Sequence, residues 1–110
     1  MVDYNQIMEF IEKNFIGQST KVCVRGEGNE ELVYTGKLND AVYIVKGSGA
    51  LVKRVPANKD VFLISLKFDN LEVKLSGYEL DLGKINLKSS KAYMLSSGLD
   101  RPLLVELEKV

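Results

Sequence analysis

A chain of 110 residues, 45% hydrophobic and 27% charged, has the composition of a soluble globular protein and is long enough to bury a core as a single domain over residues 1–110, without disulfides or metal. Fifteen basic residues balance fifteen acidic ones, so bulk charge points to neither nucleic acid nor membrane, and any such role has to rest on a local patch. There is no histidine and one cysteine; this removes Ser–His and Cys–His catalysis, histidine-ligated metals, thiolate zinc sites and intramolecular disulfides, and no cofactor or metal is expected.

Residues 3–17 read as a helix. Asp3, followed three positions later by Gln6, forms a capping box. Ile7, Phe10, Ile11 and Phe15 recur at helical spacing as one apolar stripe, and Gly17 provides the stop. The period then changes to two. In TKVCVR (20–25) Val22 and Val24 share one face, and Lys21, Cys23 and Arg25 the other. GEGN (26–29) reads as a turn, ELVYTG as the return strand, LND (38–40) as a second turn and AVYIV as a third, fully apolar strand of an antiparallel meander.

The segment KGSGALVKRVPANKD interrupts the strands. Ala50–Val55 is expected to form one or two helical turns, stopped before Pro56. VFLISLKF (61–68) is the longest apolar strand and is expected to lie centrally. A tight turn at Asp69–Asn70 leads into LEVKL, with Leu71, Val73 and Leu75 inward; SG (76–77) resets the phase before YELDL. INL is a further short strand, SKAYMLSSG fits a helical turn or a strand, and RPLLVEL closes the chain as a strand with Leu103, Val105 and Leu107 on one face. The fold class is α+β: an N-terminal amphipathic helix packed on a curved, mainly antiparallel sheet of about six strands.

Chemistry is sparse. Cys23 lies between Lys21 and Arg25, neighbours that would lower its pKa, or it is a small residue in a sheet. The carboxylate pairs Glu30–Glu31 and Glu79/Asp81 read as solvated edges. The sequence VYIVKGSGALVKRV invites a phosphate-loop reading, but its lysine precedes the glycines, no magnesium-binding hydroxyl follows, and GSGALV lacks the third glycine of a dinucleotide fingerprint. Gly47-Ser48-Gly49 is therefore expected to be a turn whose glycines take positive φ.

Local charge remains. Lys46, Lys53, Arg54 and Lys59 lie in a stretch free of acids, as do Lys84, Lys88 and Lys91. With Tyr43 and Tyr93 nearby, these seven cations are the candidate nucleic-acid-binding residues, contacting the phosphates of structured RNA.

Residues 7–66 resemble the N-terminal, pre-PUA domain of small ribosome-biogenesis factors of archaea and eukaryotes. The likeness runs through FIEKNFIGQSTKVCV (Phe10, Glu12, Lys13, Ile16, Gly17, Val22, Val24) and LVYTGKLNDAVYIV (Tyr34, Leu38, Asn39, Val42, Tyr43, Val45). The RNA-binding PUA domain that follows in that family has no expected counterpart within these 110 residues. The resemblance thus implies a stand-alone, non-enzymatic module in RNA-associated assembly. The alternative is a protein-interaction or self-association module using an exposed strand edge. The lone cysteine suits a reducing cytosol. No apolar run approaches the ~18 residues of a membrane span, and MVDYNQIMEF lacks a secretory pattern. The expected location is cytoplasmic, with no membrane partner.

Overall fold

The computed structural model of the chain describes residues 3–26, 31–74, 78–80, 86–88, 91–98 and 102–110. The helix α1 spans Tyr4–Asn14. Its capping box is present in both directions: the Gln6 amide donates to Asp3 Oδ1 at 2.8 Å and the Asp3 amide to Gln6 Oε1 at 2.9 Å. The helix ends three residues before the expected Gly17. The Phe15 and Ile16 amides both close on the Ile11 carbonyl, and Gly17, at φ +84°, turns the chain and donates to the Leu38 carbonyl at 2.7 Å. The buried stripe is Ile7, Met8, Ile11 and Phe15. Phe10, expected within it, is half-buried on the flank against the Phe15 ring, and Met8 takes the inner position.

Nine strands follow among the described residues: β1 (Ser19–Arg25), β2 (Glu31–Val45), β3 (Leu51–Val52), β4 (Val61–Phe68), β5 (Glu72–Lys74), β6 (Tyr78–Leu80), β7 (Asn86–Lys88), β8 (Lys91–Gly98) and β9 (Pro102–Lys109). They form one sheet in the order β5-β4-β2-β1-β9-β8-β6, with β3 on β2 and β7 on β8. Every pairing between these strands is antiparallel. The strands at the two ends of the order, β5 and β6, are separated in the chain only by residues 75–77, so chain reach holds them within about 15 Å. β6 also comes up against β4. The sheet is therefore strongly curled, and α1 packs into its concave side through a core drawn from α1, β1, β2, β4, β5 and β9.

Two expectations are corrected. LND is not a turn: β2 runs unbroken through it, with a bulge where Leu38 pairs Phe68 but Asp40 pairs Lys67. Before the bulge the even residue Leu38 faces the core; after it the odd residues Ala41, Tyr43 and Val45 do. A bulge and a turn leave the same mark in sequence, a break in the phase of alternation. The expected meander of three strands is thus a hairpin of β1 with one long, bent β2. Ala50–Val55 is not helical either. Leu51 and Val52 pair Ile44 and Tyr43 as β3.

β4 lies inside the sheet between β2 and β5, with Asp69–Asn70 as the turn beyond it. Of SKAYMLSSG, Lys91–Gly98 is β8, whose two edges pair β9 and β6/β7. Val105 and Leu107 of β9 are buried, as alternation predicts. The expected turns at 27–29 and 76–77 lie outside the described residues. No helix among the described residues is long and apolar enough to cross a membrane.

Candidate functional site

The chain between β2 and β4 carries four of the expected cations. It leaves β2 through a tight hairpin loop. The Gly49 amide donates to the Val45 carbonyl at 3.0 Å, the Val45 amide to the Ala50 carbonyl at 2.9 Å, and Gly47 and Gly49 take φ of +91° and +72°. The glycines thus serve the turn, as their spacing predicted. Further on, Asn5 of α1 grips the main chain of Val55, accepting from its amide at 2.7 Å and donating to its carbonyl at 3.2 Å. This clamp seats residues 55–59 beside the helix N-terminus, with an open depression of about 330 Å³ between Asp3, Tyr4 and Lys59.

Folding brings acids to Lys53 and Arg54. The Lys53 ammonium binds the Asp40 carboxylate and the Ala41 carbonyl. Arg54 Nη2 lies 2.7 Å from Glu12 Oε1, an ion pair without hydrogen-bond alignment, and its Nε lies 4.0 Å from Glu9. The hydrogen bond from Lys53 holds the Asp40 carboxyl below the usual range. The acid-free run in sequence is therefore not acid-free in space: α1 and β2 supply the carboxylates.

Lys46 and Lys59 are exposed. Lys88 and Lys91 face one another across β7 and β8, in a cross-strand row that continues through Glu108, Lys21 and Thr35. Thr35 is ten positions along β2 from Val45, where the basic segment departs. Lys84, Glu30 and Asp81 lie outside the described residues, as does the side chain of Glu79.

The convex side of β1 carries a cluster that charge counting missed. The Cys23 thiol donates to Glu31 Oε1 at 3.2 Å, and Arg25 Nε approaches the same oxygen at 3.4 Å. Arg25 also faces Glu106 at 3.9 Å. Burial, followed by the bond to Glu31, pushes the thiol pKa up, and outweighs the opposing pull of Arg25. The flanking cations thus do not lower the Cys23 pKa, because burial of the thiol and its bond to the Glu31 carboxylate act the other way. Among the described residues, no group of three or more metal-ligating side chains is gathered to hold an ion.

The remaining feature is a strand edge. β1 pairs β2 over Glu31–Lys37, while β4 pairs the opposite edge only from Leu38 onward. Among the described residues, no strand covers that opposite edge of residues 31–37. Its polarity follows from one bond: the Leu38 amide donates to the Gln18 carbonyl, toward β1. By alternation Gly36, Tyr34 and Leu32 also address β1, so the amides and carbonyls of Lys37, Thr35, Val33 and Glu31 point to the open edge. The side chains agree, since none of the seven residues is buried and Leu32 and Val33 are 42% and 50% exposed.

Comparison with protein families, with curated protein sequences and with solved structures finds no match for this chain.

Proposed function

We propose that this protein is a non-catalytic binding module that takes an extended polypeptide segment onto the open edge of β2. The observation that carries this reading is the seven-residue stretch Glu31–Lys37, whose outward main-chain groups have no strand partner among the described residues and which exposes Leu32 and Val33. An added strand satisfies those groups and covers the apolar pair. Main-chain bonding sets affinity in such a site, and side chains on alternate positions set selectivity.

Amide hydrogen exchange tests it. In the dilute protein Leu32, Tyr34 and Gly36 are protected by β1, while Val33, Thr35 and Lys37 exchange quickly. A panel of heptapeptides, each alternating apolar and polar residues with one acidic and one basic end, is expected to protect the odd-numbered set. Val33→Pro removes one outward donor without touching the β1 ladder, and is expected to abolish that protection. If no peptide protects the odd-numbered amides, the reading is wrong.

Phosphate contact by the basic segments, in an RNA-associated assembly, is the second reading. The exposure of Lys46, Lys59 and Lys88 and the pre-PUA resemblance favour it, whereas the carboxylates beside Lys53 and Arg54 weigh against it. Binding to structured RNA that weakens steeply with salt would move the function there. Either module suits a reducing, cytoplasmic setting.

A further inference from the structure

We infer that the occupant of the β2 edge is a second copy of this chain, paired antiparallel about a two-fold axis at Tyr34; the inference rests on the strand-edge reading above. The residues choose this register. Main-chain bonding across the open edge requires an outward-pointing residue opposite an outward-pointing residue. Centring on Tyr34 sets Glu31 opposite Lys37 of the second copy and Val33 opposite Thr35, so all four outward residues of each chain are paired. Centring one residue away in either direction sets Val33 or Thr35 opposite itself and leaves part of the stretch unpaired.

The side chains fit the same register. Glu31 meets Lys37 at both ends, an opposite-charge pair repeated by symmetry. Both side chains are exposed, and Lys37 has no ion-pair partner among the described residues. On the concave face, Leu32 falls opposite Gly36 of the second copy. That glycine is covered by its own Tyr34 ring, which comes within 2.9 Å of where a β-carbon would sit. The exposed Leu32 thus gains an aromatic surface instead of a clash. The interface is isologous and closes on itself, so it ends at the dimer and builds no fibre.

Sedimentation equilibrium of the full chain from micromolar to millimolar concentration tests this, with Glu31→Lys, Lys37→Glu and their equimolar mixture alongside. Each single variant sets like charges opposite one another at both ends, and is expected to weaken association by about tenfold or more. The mixture restores opposite charges at both ends and is expected to recover the wild-type association. Because Lys37→Glu leaves the Arg25–Glu31 contact intact, loss of the dimer in that variant is not a folding defect. A wild type that stays monomeric throughout, or a dimer indifferent to Lys37→Glu, overturns the inference. The peptide-exchange measurement separates the two levels. Protection of Val33, Thr35 and Lys37 by a heptapeptide in a monomeric wild type retires self-pairing and keeps the edge, whereas monomer without protection retires both.

Discussion

The hydroxyl of Tyr43, near the C-terminal end of β2, donates to the main-chain carbonyl of Tyr4 in the first turn of α1 at 3.0 Å, with the two rings edge to face at 5.7 Å. Tyr43 is fully buried, so this contact ties the helix to the sheet from inside the core. It also joins the two parts of the chain that define the concave side.

Tyr43→Phe keeps the ring and removes the bond, and should cost about 0.5–1.5 kcal/mol in denaturant unfolding. Burial raises the phenol pKa well above its ordinary value near 10. The unfolded chain therefore releases this proton first, and stability falls as pH rises beyond about 10. Tyr43→Phe should flatten that alkaline loss; an unchanged alkaline profile would show that Tyr43 is not its source.

Phe15 and Phe10 separate the centre of the helix stripe from its flank. Phe15 is completely buried, and Phe15→Ala should cost about 3–5 kcal/mol. Phe10 is only half-buried, and Phe10→Ala should cost clearly less. Equal losses by chemical denaturation would mean that the helix is rotated relative to its assigned face.

Tyr34 and Gly36 form one unit on β2, with the Tyr34 ring lying over Gly36 and packing edge-on against Phe68 at 5.1 Å. Gly36→Ala pushes the ring off Phe68 and should cost about 1–3 kcal/mol. In a Tyr34→Ala background most of that cost should vanish. A double-mutant cycle with no coupling would show that the ring moves aside freely.

Asp40 and Lys53 give a prediction in the acid range. Because the folded Asp40 pKa is lowered, its contribution is present above the ordinary carboxylate value and lost as pH falls through the folded one. Both side chains are nearly half exposed, so solvent screening limits the effect to about 1 kcal/mol or less. Asp40→Asn should therefore destabilise slightly at neutral pH and match the wild type below about pH 3. A difference that persists undiminished in acid would assign the effect instead to the hydrogen bond that the Ala41 amide donates to Asp40 Oδ1 at 2.9 Å.

Local signals sufficed for the parts of the fold that depend on neighbours in sequence. Asp3 and Gln6 are three residues apart, so their capping box was legible, as were the positive-φ turn at Gly47–Gly49 and the inward alternation of Val105 and Leu107. These are encoded by spacing, propensity and the period of apolar residues, which act within a turn of helix or along one strand. The bulge at Asn39, the carboxylates that meet Lys53 and Arg54, the Glu31 oxygen at the Cys23 thiol and the open edge of Glu31–Lys37 depend on which distant segments become neighbours. Asn5 holds Val55 beside α1, where Arg54 meets Glu12, and among the described residues no strand covers Glu31–Lys37, since β4 ends its pairing at Leu38. Such pairings are chosen by burial of the whole core at once, and a one-dimensional pattern of charge and hydropathy carries no record of them.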